Sequence, residues 1–240
     1  MKIAIMQPYL FPYIGYFQLI HAVSKFVIYD DVAFITRGWI NRNYLLINGE
    51  KKLFTLHLNG ASSNKAINEV VILGNQEKIL KAVILAYSKA PYFKEVIPII
   101  EEILLFPESN LSKYLANSIT ILSRLLGIQT EVLFSSNLSK DNSLKGQDKI
   151  ISICESLQAT EYINAIGGQS LYNENDFRNH NIELRFLKSQ PIVYKQFKNA
   201  FIPWLSIIDV LMFNSVEETR LLLQKFELIK AVVDPKNVLL

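Results

Sequence analysis

The chain has 240 residues, half of them hydrophobic, and a positive mean hydropathy, so it carries enough apolar surface for a real core and is not disordered. Its 25 basic and 22 acidic residues leave a net charge of only +3, with no Lys/Arg stripe of the kind a nucleic-acid surface needs; a mildly basic pocket for an anionic small molecule fits this balance. The lone Cys154 excludes a disulfide framework and a cysteine metal clip, and favours a cytosolic compartment.

In chain order, Ile3-Ala4-Ile5-Met6 is a short apolar run stopped by Gln7-Pro8. It is too short for a signal peptide and reads as a buried parallel strand. An aromatic loop from Tyr9 to Tyr16 leads to a helix over Phe17–Val23, and Phe26-Val27-Ile28-Tyr29 is a second buried strand. Together they make one βαβ crossover. Lys51–Leu58 is strand-like. Helices are expected at Gln76–Lys89, Phe93–Leu105 and Leu111–Leu126, with Asn75 and Asn110 as N-caps and Gly127 just past the third. Glu131–Ser135 is a strand, and polar Asn137–Lys145 reads as a mobile loop. Gln147–Leu157 is a helix with Cys154 in its core face, Glu161–Ala165 a strand, Leu171–Asn179 a short helix and Ile182–Leu187 a strand. Ile207–Phe213 and Val216–Leu228 read as helices, and Asp234–Asn237 as a turn. No stretch is long and apolar enough to span a bilayer.

Strands alternating with helices predict an α/β fold, a Rossmann-like parallel sheet flanked by helices. The expected organisation is a catalytic domain over 1–190, with a helical insertion at about 75–127, followed by a C-terminal helical extension over 191–240.

In such sheets ligands bind outside the carboxyl ends of the strands. Three unusual segments fall there. The first holds Gln7, Tyr9, Tyr13, Gly15 and Tyr16; a polar residue at a strand end needs a partner, and a glycine before a helix lets an anion approach the N–H groups. The second runs from Asp30-Asp31 through Arg37, Trp39, Asn41, Arg42 and Asn43. Arginine forks suit phosphate or carboxylate, and asparagines read hydroxyls. Trp39 sits between two arginines, an expensive place for a merely solvated loop. The third holds Asn164, Gly167 and Gly168; the glycine pair is also an ordinary turn into a helix. His21 and His57 are assigned to the core or a strand face and His180 to the surface. No spacing resembles a metal site.

The N-terminal motifs, Met6-Gln7-Pro8-Tyr9-Leu10-Phe11-Pro12-Tyr13-Ile14-Gly15-Tyr16-Phe17, Tyr29-Asp30-Asp31-Val32-Ala33-Phe34 and Arg37-Gly38-Trp39-Ile40-Asn41-Arg42-Asn43, resemble the WbqC-like family, as do Asn164–Gly168 and Leu205–Leu211. The resemblance implies a transferase of bacterial surface-polysaccharide, lipopolysaccharide or O-antigen biosynthesis in the cytoplasm. It would attach an amino acid, glycine by the usual proposal, to the amino group of a nucleotide-linked amino sugar. Gln7–Tyr16 is also similar to the His-x-Gly-His region of nucleotide-binding enzymes such as pantothenate synthetases, which form acyl-adenylates. Here Tyr13-Ile14-Gly15-Tyr16 stands in that place, and tyrosine lacks the imidazolium charge that steadies a phosphoryl transition state.

The expectation is therefore an aminoacyltransferase or ATP-dependent amide ligase. The acyl donor is left open among an adenylate, an aminoacyl-tRNA and a thioester. ATP with Mg²⁺ is compatible, with Asp30 and Asp31 able to hold the metal, and homo-oligomerisation is open. In the expected roles, Asp30 or Asp31 is the base, Gln7, Tyr13, Gly15 and Tyr16 line the nucleotide or acyl group, Arg37 and Arg42 hold phosphate, Trp39 stacks on a base or sugar face, and Asn41, Asn43 and Asn164 orient hydroxyls. The rivals are a nucleotidyltransferase that builds the activated sugar and a non-catalytic scaffold of a polysaccharide assembly complex.

Overall fold

The computed structural model describes residues 1–198 and 200–230; the turn expected at Asp234–Asn237 lies outside the described residues. Strand β1 (Lys2–Met6), helix α1 (Ile14–His21) and strand β2 (Lys25–Ile28) form the expected crossover, with β1 and β2 parallel. Strands β7 (Glu131–Phe134), β8 (Glu161–Ala165) and β9 (Glu183–Ser189) follow, separated by α5 (Gly146–Ser156) and α6 (Glu174–Asn179). The sheet reads β7-β2-β1-β8-β9 and ends on the strand Phe226–Lys230, the doubly wound order of a Rossmann-like fold, in which strand order reverses between β1 and β8. Strand β10 (Phe226–Lys230) closes the edge antiparallel to β9.

Side-chain alternation along each strand splits the core into two layers. Ile3, Ile5, Val27, Tyr162, Leu184 and Phe186 pack under α5 and α6. Ala4, Phe26, Ile28, Ile163 and Leu187 face the larger cluster beneath α1. That cluster is thickened by α2 (Gln76–Tyr87), α3 (Phe93–Leu104) and α4 (Leu111–Leu125), inserted between β2 and β7, and by α7 (Ile207–Phe213). The Asn110 side chain caps α4 by accepting from the Lys113 N–H, and Gly127 ends it at φ +70°. Asn75 precedes α2 but turns its side chain to the 55–57 segment instead, accepting from the His57 N–H and donating to the Thr55 carbonyl.

Three expectations change. Arg42–Asn43, expected in a loop, open a hairpin of β3 (Arg42–Ile47) and β4 (Glu50–Thr55), turned by Asn48-Gly49 with both φ positive, as a two-residue hairpin turn requires. The helix expected over Val216–Leu228 is α8 (Val216–Leu222), and the rest becomes β10, because an open edge of β9 offers Phe226–Lys230 a ladder. His21 and His57 are both exposed rather than in the core. Cys154 is buried as expected, and desolvation pushes its thiol up to about 12. Among the described residues no helix is long and apolar enough to cross a membrane.

Candidate active site at the carboxyl edge of the sheet

β1 and β8 are paired only at Lys2–Ile3 against Glu161–Tyr162, whereas β1 stays paired with β2 up to Met6 and Ile28. The carboxyl halves of β1 and β8 therefore part, opening the sheet where ligands bind in this topology. Gln7 and Asn164 follow on either lip. The three segments singled out in the sequence thus leave three adjacent strands, β8, β1 and β2.

On the first lip, half-buried Gln7 accepts from the Tyr16 hydroxyl through its carbonyl, at 2.9 Å. Tyr16 is 1% exposed and packs on Tyr9, Phe17 and Phe26. The expectation that it lines a nucleotide or acyl group gives way to a packing role. Gly15 is needed for a different reason than expected. A Cβ there would lie 2.3 Å from the Tyr13 ring and 2.8 Å from Ser189 Oγ, so the ring already covers the first turn of α1 where an anion was expected. Half-buried Tyr13 and Tyr9 remain beside the opening, their phenols pushed up by burial. On the other lip, Asn164 accepts from the Ala165 N–H and turns its amide onto Gly168, where a Cβ would stand 2.7 Å from Nδ2. Gly168 is a close approach, while nothing lies within 4 Å of a Cβ on Gly167.

The two adjacent carboxylates separate, as consecutive residues leaving a strand do. Asp30 is 2% exposed. It accepts from Ser136 N–H (3.0 Å), Ser136 Oγ (2.7 Å) and Ser112 Oγ (3.3 Å), and so ties β2 to the end of β7 and the start of α4. Asp31 turns the other way, to Lys140 (2.9 Å) and Lys149 (3.1 Å). The Lys149 ammonium also donates to the Asp31 carbonyl and lies 5.5 Å from the Tyr29 ring centroid. Lys140 also donates to the Ser135 carbonyl. Burial pushes the Asp31 carboxyl up, but hydrogen bonds from Lys140 and Lys149 outweigh it and the net shift is downward. Tyr29 is pushed up by burial, the Asp31 charge and Tyr172, and stays protonated. Both carboxylates are thus committed to different partners. Asp31 Oδ1 is left buried without a hydrogen-bond partner, but the two carboxylates turn to opposite sides, so they do not fit a Mg²⁺ ion held between them.

Beyond Asp31 the chain builds a second charged feature. A cavity of about 440 Å³ is lined by Arg37, Arg42, His57, Asn41, Thr36 and Thr55 among others, and by no carboxylate among the described residues. Arg42 Nε donates to the Gly38 carbonyl at 2.8 Å, and its guanidinium carbon lies 5.9 Å from the Trp39 ring centroid. Trp39 is 45% exposed and its ring is 5.6 Å from that of Tyr44. Arg37 is held at φ +60°, a strained backbone for a residue with a Cβ. Neither arginine forms an ion pair among the described residues. Asn41 and Asn43, expected to orient hydroxyls, do structural work. Asn41 Nδ2 donates to the Leu56 carbonyl, and buried Asn43 donates to the Phe11 carbonyl at 2.7 Å, holding Phe11 at φ +45°.

Lys140, Lys149, Tyr29 and Tyr172 were not singled out in the sequence. Lys149 left one clue: it shares a helix face with Ile153 and Ile150, so a lysine lies on the apolar stripe of α5.

Fold and site together define a Rossmann-like α/β protein with a split, charged carboxyl edge. The chain belongs to the WbqC-like protein family, whose model matches residues 7–221. It is 29% identical over 219 residues to an uncharacterized protein of Mycobacterium tuberculosis, Rv1507c, which covers 89% of this chain and 93% of that protein. No solved structure matches the chain.

Proposed function

We propose that the chain is an enzyme that transfers an aminoacyl group, glycyl by the family resemblance, to the amino nitrogen of a nucleotide-linked amino sugar, a cytoplasmic step towards surface polysaccharide such as O-antigen. The observation that carries the reading is the cavity with two arginines and no lining carboxylate among the described residues, built by the chain that leaves β2. Guanidinium forks without a protein counter-ion suit a phosphate-bearing ligand. In this reading Arg37 and Arg42 hold the diphosphate and Trp39 covers it. The sugar reaches towards Gln7, Asn164 and the Asp31 cluster.

There the amine attacks the activated carbonyl carbon. A C–N bond forms, the C–O or C–S bond to the leaving group breaks, and the leaving atom takes up the proton the amine gives up. Tyr29, kept protonated, donates to the carbonyl oxygen as it gains charge, and the Lys140–Lys149 pair supports that charge. Asp31, ionised between two lysines, orients the amine and is a weak base. The donor in this reading is an adenylate, an aminoacyl-tRNA or a thioester.

The test is thermal stabilisation by ATP with Mg²⁺, UDP- and dTDP-amino sugars, glycine and uncharged tRNA, since a ligand far above its Kd raises Tm. A nucleotide amino sugar should raise Tm. Arg42→Ala should weaken that binding about tenfold, the loss expected for one charged hydrogen-bonding group, with the unliganded Tm within about 2 °C of wild type. If no nucleotide sugar shifts Tm, the enzyme reading falls and a scaffold role takes its place.

A further inference from the structure

An apolar concavity at the carboxyl edge takes no part in the mechanism above. It holds about 350 Å³ at the end of β9, between the first turn of α1 and residues 190–194 and 201–205. Tyr13, Tyr194, Phe201 and Trp204 supply aromatic walls, Pro191 and Val193 complete the rim, and Ser189 and Gln190 add polar edges. Two observations separate it from ordinary surface. Val193 and Trp204, 74% and 66% exposed, share one aromatic-walled concavity rather than standing singly. Trp204 is also held at φ +62°, a strained conformation of the kind that clusters at ligand sites, with its ring 5.9 Å from that of Tyr13.

The groove and the cationic cavity share no lining residue, and one short buried segment joins the elements that line them. Asn43, next to Arg42, donates to the Phe11 carbonyl, and the same carbonyl accepts from Ser206 Oγ, two residues beyond Trp204. The Ser206 N–H also meets the Tyr44 carbonyl, and Tyr44 touches Trp39. An uncharged aromatic slot and an anion-holding cavity, linked in this way, match a ligand with one flat ring and one phosphorylated end.

We infer that the Tyr13–Trp204 groove is the nucleobase subsite, the base lying against Trp204 with its polar edge towards Gln190, while its phosphates run to Arg37 and Arg42. The inference rests on the nucleotide-sugar reading and names the part of that substrate the groove recognises. The volume accommodates one base with its ribose at the lower end of small-ligand pockets, and stacking on an aromatic face contributes on the order of 1–3 kcal/mol per base.

The chain has two tryptophans, one at each subsite, so each can be read alone. Trp39→Phe leaves Trp204 as the sole reporter, and Trp204→Phe leaves Trp39. Uridine or thymidine, which carry no phosphate, should quench Trp204 and leave Trp39 unchanged. Inorganic pyrophosphate should do the reverse. Val193→Asp, which places a charge on the exposed rim, should weaken UDP binding to the otherwise wild-type protein at least about tenfold, with pyrophosphate affinity unchanged. If nucleosides leave Trp204 unmoved while pyrophosphate or a UDP-amino sugar still perturbs Trp39, the base lies elsewhere: the groove inference is overturned and the proposed function stands. If no nucleoside, pyrophosphate or nucleotide sugar perturbs either reporter, both fall together.

Discussion

Arg37 and Arg42 face a cavity with no lining carboxylate, whereas Lys140 and Lys149 both close on Asp31. The two features begin within six residues of each other along the loop after β2, yet they handle charge in opposite ways. The lysines are almost wholly buried, at 1% and 8% side-chain exposure, and a buried ammonium without an anion is costly enough that the fold supplies one. The arginines keep contact with water, so they need no protein anion and can wait for one from a ligand. The same region thus sets a charge cluster already paired within the protein apart from one with no ion-pair partner among the described residues. The chain adds local strain to the free one by placing Arg37 at positive φ.

The largest effect that tests this contrast is removal of the shared anion. Asp31→Ala leaves two buried ammoniums unpaired, and the loss should be about 3 kcal/mol or more in urea unfolding, in line with the breaking of a buried ion pair. Asp31→Ala with Lys149→Met should recover part of it, since the pair removed together leaves fewer orphaned charges. If Asp31→Ala costs no more than a surface substitution, the cluster is not the staple described, and the contrast with the arginines disappears.

That staple was the part of the site least legible in the sequence. Lys149 meets a residue 118 positions away, and no local pattern announces such a pairing. What could be read were the features that depend on local chemistry. The apolar runs of β1, β2 and β8 stand at the expected residues, and so do α2, α3 and α7, because burial on both faces or one helical stripe leaves a periodic signature. The hairpin of β3 and β4 had a signal that was overlooked, Asn48-Gly49 between apolar residues. The adjacency of Asp30 and Asp31 misled: in sequence it suggests one acidic site, but successive side chains leave a strand end on opposite faces. Tyr16 and Asn43 misled in another way, since a buried hydroxyl or amide satisfies backbone carbonyls as readily as it meets a substrate. Tyr13 and Trp204 came together only through the return of the chain past β9.

A smaller effect separates function from stability within the free cluster itself. At φ +60° a glycine is unstrained, so Arg37→Gly should raise stability by up to about 1 kcal/mol while weakening nucleotide-sugar binding about tenfold. Urea midpoints and calorimetric titration would be measured on one preparation. A variant that is both less stable and equally competent would show that the Arg37 side chain serves the fold.

The pH dependence of the staple follows from its sign. The Asp31 carboxyl sits below its ordinary value when folded, so the unfolded chain binds its proton first as pH falls. The stabilisation is therefore complete above the unfolded pKa, about 3.9, and is lost as pH drops through the folded value. The stability gap between wild type and Asp31→Asn should be constant from pH 7 to about 5 and narrow below about 4. Asp209 runs the other way: burial among Tyr87, Tyr194 and Gln196 raises its carboxyl despite three hydrogen bonds, so its ionisation opposes folding as pH rises. Comparison with Asp31→Asn, rather than the raw wild-type curve, isolates the staple.

The smallest difference concerns salt, and it discriminates because the two clusters differ in exposure more than in charge. Raising ionic strength from about 0.1 M to about 1 M shortens the screening length from roughly 10 Å to roughly 3 Å. Water reaches the arginines, so their attraction for a diphosphate should fall several-fold over that range. The Asp31–lysine contacts, at 2.9 and 3.1 Å in a nearly dry setting, leave no room for intervening ions. The stability gap between wild type and Asp31→Asn should then change by no more than a few tenths of a kcal/mol. Equal salt sensitivity of binding and of that gap would mean that solvent penetrates the Asp31 cluster as freely as the arginine cavity, and that burial is not what distinguishes them.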